Sequence, residues 1–318
     1  MSNATPAVVA KGLEKRFGGV VACAGIDLVV PSGARFGLIG QNGAGKTTFI
    51  KMLLGICRHD AGDVSVLGGD PEDVAVRRRV GYLPERLTIP PAFSALSFLE
   101  SVGRIKGLPS ARAAAEAKDL LHKVGLEEVA WKRATGGFSK GMRQRTGLAA
   151  ALVGAPALLI LDEPTDGIDP LGRIQIRDVI LDAARGGATV FLNSHLLAET
   201  ERICDHVAVL HKGRVVKAGA LSVLQKKDAF RVEFQKGVDV AVVAAHGFVV
   251  LDDVDNAEGV ACRFAGTDAR ALSLALAQAI GAGATVVGVA PELVELETVL
   301  SESTSTSTST STSTQEAA

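Results

Sequence analysis

The sequence predicts an α/β fold. It comprises a mostly parallel sheet covered on both faces, an antiparallel β portion at the N-terminus, a helical subdomain, and a small α+β domain towards the C-terminus. Three observations predict it. Between residues 33 and 220, short apolar runs alternate with helical patterns, the order that sets parallel strands side by side with crossover helices. The run ALLILD, residues 157–162, is continuously apolar and bounded by Pro156, as expected of a strand buried on both faces. Beyond about residue 225 the pattern changes to short strands around a single helix.

The elements follow in order. VVAKGLEKRF and VVACAGIDLVV, within residues 7–30, carry β-branched runs and read as two strands, closed by the turn Pro31-Ser32-Gly33. ARFGLIG is a short apolar strand that runs into a glycine-rich loop, and KTTFIKMLLGI is a helix that ends at Gly55. Residues 61–83 suggest short strands around GDVSVLGGD and VGYLP. Helical periodicity follows at 93–106, 111–124 and 139–153. After the strand ALLILD come a helix over 170–185, the strand ATVFLNS, the helix LLAETERI and a strand HVAVLHKGRVV. In the C-terminal part FRVEF, GFVVLDDV, GVACRFAG and ATVVGV are strand candidates, with a helix at about 268–280. The expected boundaries are 1–225 for the main domain, with its helical subdomain at about 86–155, and 226–300 for the small domain. Residues 301–318, SESTSTSTSTSTSTQEAA, form a tail too polar to bury apolar area and expected to be disordered.

Composition narrows the function class. With 34 basic and 35 acidic residues, the net charge of -1 lacks the basic excess of a dedicated nucleic-acid binder. Cys23, Cys57, Cys204 and Cys262 are scattered without a CxxC pair, which argues against a disulfide frame or a zinc site. No run is long and apolar enough to predict a membrane span, and the N-terminus reads as lacking a signal peptide.

The strongest chemical signal is GQNGAGKTT, residues Gly40, Gln41, Asn42, Gly43, Ala44, Gly45, Lys46, Thr47 and Thr48. It fits G-x-x-x-x-G-K-[ST] between a predicted strand and a predicted helix, a context that a glycine-rich surface turn would not share. The glycines let backbone N–H groups turn inward around phosphate oxygens, and the helix start adds its positive end. Lys46 is then expected on the outer phosphates, and the Thr47 hydroxyl on Mg²⁺. LLILDEP, residues 158–164, supplies two acids at the end of a buried strand, the edge where α/β sheets bind ligands. Asp162 is the expected Mg²⁺ ligand and Glu163 the base for an attacking water. Adjacent acids also end many ordinary strands; the pairing with the phosphate loop gives them meaning. His195 ends the next strand on the same edge. It serves there either as a structural group or as a donor to the γ-phosphate or attacking water. In GFSKGMRQRTG, residues 137–147, Ser139 caps a helix whose free N–H groups make a second anion-binding end. One nucleotide needs one cradle, so a second suggests a site completed by another copy of the protein.

Taken in order, these motifs resemble the ATP-binding subunit of an ABC transporter over about residues 7–220. The resemblance implies a P-loop NTPase core. It implies Phe17 as the aromatic against adenine, FSKGM (138–142) as the signature loop, DGIDP (166–170) as the loop after the base, and His195 as the switch histidine. It further implies ATP and Mg²⁺ as cofactors, Lys46, Glu163 and His195 as catalytic groups, and a head-to-tail dimer. In that dimer Ser139 and Gly141 cap the γ-phosphate of the partner's ATP. A separate transmembrane permease would be the other partner, with the chain cytoplasmic and peripheral on the inner face of the cell membrane, and no direct nucleic acid expected. Two positions depart from the common pattern. Phe138-Ser139-Lys140-Gly141-Met142 stands for Leu-Ser-Gly-Gly-Gln, and Glu85 in GYLPER for the usual glutamine, where it remains a candidate Mg²⁺ or water ligand. Both variants, with the small C-terminal domain, resemble bacterial exporters of the sodium, drug and gliding type; PELVELETVL (291–300) matches that subgroup's terminal segment in part. The alternative, an ATPase of the same superfamily acting on ribosomes or DNA, resembles chains with two such domains or long coiled-coil inserts. This chain has one ATP site and no such insert.

Overall fold

The computed structural model describes residues 5–251 and 259–309. Its first unit runs to Leu221 and resumes at Leu300, and a second covers Ser222–Val299. In the first unit β1 (Val8–Phe17), β2 (Val20–Val30), β3 (Arg35–Ile39), α1 (Lys46–Leu53) and β4 (Ala61–Val66) are followed by α2 (Val74–Arg78) and β5 (Val80–Leu83). A helical stretch comprises α3 (Ala95–Ile105), α4 (Ser110–Lys123), α5 (Glu128–Trp131) and α6 (Lys140–Leu152). Then come β6 (Leu158–Asp162), α7 (Pro170–Arg185), β7 (Thr189–Asn193), α8 (Leu197–Ile203), β8 (His206–His211) and β9 (Arg214–Ala220), with α9 (Leu221–Leu224) at the boundary.

Two sheets hold the site. The larger has the order β5-β6-β7-β3-β8-β9 and is parallel from β5 to β8. All five residues of β6 and of β7 are buried, which is why both runs lack alternation. The smaller sheet, β2-β1-β4, is antiparallel. α1 packs between the two. Its Phe49, Ile50, Met52 and Leu53 join one core with Val8, Ile26 and Val30 of the small sheet and Phe36, Ile160, Phe191 and Leu210 of the large one. Phe36 stacks on Phe191 with ring centroids 5.8 Å apart, and Phe49 tilts against the same ring at 6.2 Å. The loop before α1 and the ends of β6 and β7 are thereby fixed at one sheet edge.

Several elements differ from expectation. HVAVLHKGRVV is a hairpin, β8 and β9, because Lys212 and Gly213 both take positive φ, 47° and 75°, as a tight two-residue turn requires. α2 and α5 are too short to show a helical period.

The second unit contains β10 (Lys226–Gln235), α10 (Val240–Ala245), β11 (Phe248–Val250), β12 (Gly259–Ala265), α11 (Ala269–Gly281) and β13 (Val286–Leu293). Its antiparallel sheet has the order β11-β12-β10-β13. Val232, Phe234, Phe248 and Cys262 pack against Val243 of α10 and Leu272, Ala275 and Ala279 of α11. The end of the expected strand GFVVLDDV lies outside the described residues. α12 (Leu296–Ser309) carries residues 301–309, expected to be disordered, as a continuation of a helix begun in apolar sequence. Extending a formed helix costs far less than nucleating one. Residues 310–318 of the expected tail lie outside the described residues. Among the described residues no helix is long and apolar enough to cross a membrane.

Candidate functional site

The glycines of residues 40–48 answer to close backbone approach. A Cβ on Gly40 would lie 2.2 Å from the Leu210 oxygen, and one on Gly45, at φ 105°, 2.3 Å from the Ala22 oxygen. Gly45 is also the N-cap of α1 and supplies no side-chain acceptor, so the first-turn N–H groups stay available to an anion. Asn42, Gly43, Ala44, Gly45, Lys46, Thr47 and Thr48 line a cavity of about 230 Å³ with Val20, Val21 and Ala22. Lys46 reaches back over this loop, its Nζ donating to the Gly40 oxygen at 2.6 Å and the Gln41 oxygen at 3.2 Å. Burial lowers its pKa, opposed by the charges of Glu163, Asp162 and Glu85.

Three acids thus act on one lysine. Asp162, at the end of β6, is 1% exposed. Burial raises its pKa, a hydrogen bond from Asn193 lowers it, and Glu85 and Glu163 push it up again. Asn193 Nδ2 donates to Asp162 Oδ1 at 2.5 Å, while Asn193 Oδ1 is buried without a partner among the described residues. Glu163 is held from every side. Its main chain sits at φ 53°, unusual for a residue with a Cβ. Its N–H donates to the Asn193 oxygen at 2.8 Å, and its own main-chain oxygen accepts from Gln144 Nε2 at 2.9 Å. Its carboxylate accepts from the His195 N–H at 2.9 Å and the Ser194 hydroxyl at 3.3 Å, and lies 2.8 Å from His195 Nδ1. The His195 ring is otherwise exposed.

The structure therefore brings Lys46, Glu85, Asp162, Glu163 and His195 to one edge. Ser139 and Gly141 do not line the phosphate-loop cavity. Ser139 caps α6, its Oγ accepting from the Met142 N–H at 3.1 Å. Glu85 lines a second cavity of about 400 Å³ with Arg86, Leu87, Lys140, Arg143, Gln144 and Asp166. Phe17 ends β1, 53% exposed, with Lys15 Nζ 5.4 Å from its ring centroid. Sequence reasoning misses Asn193, Ser194 and Gln144. The polar pair Asn193-Ser194 at the end of an apolar strand is a readable signal; the contact of Gln144 with Glu163, 19 residues away, is not.

The ABC transporter family model matches residues 23–166. An uncharacterised ABC transporter ATP-binding protein of Nostoc sp. is 41% identical over 220 residues, 69% of this chain and 66% of that protein, just under two thirds of its length. The Nod factor export ATP-binding protein I of Burkholderia lata is 38% identical over 232 residues, 72% of this chain and 74% of that one. A solved structure of an ATP-binding subunit of an ABC transporter superposes with a TM-score of 0.65 at 31% identity, covering 69% of this chain and 92% of the other.

Proposed function

The chain belongs to the family of ABC transporter ATP-binding proteins, and from that premise we propose that it hydrolyses ATP to drive a separate membrane permease, in the direction of export. The observation that carries the proposal is the carboxylate of Glu163, fixed by His195 and Ser194 at the sheet edge that also presents the phosphate loop.

The phosphate loop and the uncapped start of α1 hold the phosphates, and Lys46 leaves its carbonyl partners for the outer ones. The residues fit a divalent cation. Glu85, Asp162 and Glu163 together outweigh the positive charge of Lys46, and beside Asp162 a buried Asn193 oxygen has no partner among the described residues. Thr47, Asp162 and Glu85 would hold Mg²⁺. Bound there, it would neutralise charge developing on the phosphates. Glu163 takes the proton of the attacking water, and His195, paired with that carboxylate, orients it towards the γ-phosphate.

Ser139 and Gly141, outside the chain's own phosphate cavity, cap the ATP of a second nucleotide-binding subunit, giving a homodimer on ATP binding. Phe17 stacks on the adenine. The chain works on the cytoplasmic face of the cell membrane. We assign the permease contact to the groove of about 350 Å³ lined by Val74, Arg77, Arg78, Val102, Ile105 and Lys106, where Val74 and Ile105 are 63% and 78% exposed.

Steady-state hydrolysis of Mg·ATP by the purified chain tests this. Glu163→Gln is expected to lose at least about 100-fold in kcat while still binding a fluorescent ATP analogue. Retention of half the rate would remove Glu163 as the base.

A further inference from the structure

Gln144 lies in the second turn of α6 and is 5% exposed, yet it takes no part in capping that helix. Its amide donates to the main-chain oxygen of the very residue held at φ 53°. A residue with a Cβ keeps such a conformation only where its surroundings over-determine it. The opposite side of the same backbone is held from β7, through the Asn193 oxygen. One turn earlier, Lys140 Nζ lies 2.6 Å from Asp166 Oδ2. The start of α6 and the loop after β6 are thus joined twice, once by a half-buried bond and once by an exposed ion pair. The exposed pair contributes little on its own. Breaking the half-buried bond would strand the amide of a side chain that is itself buried, which ties the two segments to each other.

We propose that Gln144 is a positioning residue through which α6 sets the main chain of Glu163, so that engagement of α6 by the partner's ATP adjusts the base of the chain's own site. This rests on the reading that Ser139 and Gly141 act in trans. Ser139 and Gln144 sit on one rigid helix, at its cap and second turn. A nucleotide that draws in the cap displaces Gln144 with it, and Gln144 carries the Glu163 carbonyl. The two ATP sites of a dimer are then energetically coupled, each through the other's α6.

The test replaces Gln144 with Met, similar in length but without a donor. Light scattering of the Glu163→Gln protein with Mg·ATP first establishes the dimer; failure there sinks the trans reading itself. In the active background, Gln144→Met is expected to keep KM within about two-fold, lower kcat about 10-fold or more, and bring the Hill coefficient for ATP from above one to one. Unchanged kcat and Hill coefficient, with only a lower melting temperature, would overturn the proposal in favour of a structural role. So would a wild-type Hill coefficient of one in a protein that dimerises. Should Gln144→Met not fold, Gln144→Asn, which keeps an amide one methylene too short, must show the same losses.

Discussion

Asn193 shows how a site depends on a residue no motif names. It fixes Asp162 with its side-chain amide and Glu163 with its main-chain oxygen. Partners behind a metal ligand typically matter about 10–100-fold in metal affinity. Asn193→Leu is therefore expected to raise the Mg²⁺ concentration for half-maximal hydrolysis about 10-fold at saturating ATP, read from a Mg²⁺ titration. An unchanged midpoint would remove Asn193 from the surroundings of the proposed Mg²⁺ site. Lys46, Asp162 and Glu163 are legible in the sequence because their neighbours along the chain create their geometry: strand, turn and helix are contiguous. Asn193, Ser194 and Gln144 act across the sheet edge, where only the fold decides which polar groups meet.

Among elements, α3 and α4 are legible from periodicity to within about two residues, since each buries one stripe, Ala95 and Leu99 in the first and Ala113, Ala117 and Leu121 in the second. The hairpin β8–β9 reads as one strand because a Lys-Gly pair interrupts the apolar pattern only briefly. α3 also ends on a group with a readable pH signature. Lys106 Nζ donates to the Val153 oxygen at 2.7 Å, and burial pushes its pKa down to about 8, against a weaker upward pull from Glu116. An ammonium whose folded pKa is depressed costs stability as long as the unfolded chain keeps its proton. That cost is fully present below pH 8, shrinks as pH rises through 8, and is gone near 10.5, where the unfolded chain also loses the proton. Thermal melts from about pH 7 to 10 should show the wild type gaining stability relative to Lys106→Met as pH rises. A constant difference would mean that the ammonium is solvated in the fold.

For the molecule as a whole, the phosphate loop and Ser139 mark the starts of α1 and α6, two helix ends of one chain that do not line one cavity. The parallel sheet explains the first end, since β3 and α1 are joined through it. For the second, the proposed account calls on another copy. The decisive measurement is the mass of Glu163→Gln in solution, followed by light scattering with and without Mg·ATP. Trans capping requires monomer without nucleotide, dimer with it, and monomer again when Ser139→Arg is added. A Glu163→Gln protein that binds ATP and stays monomeric, or a dimer indifferent to Ser139→Arg, would refute it.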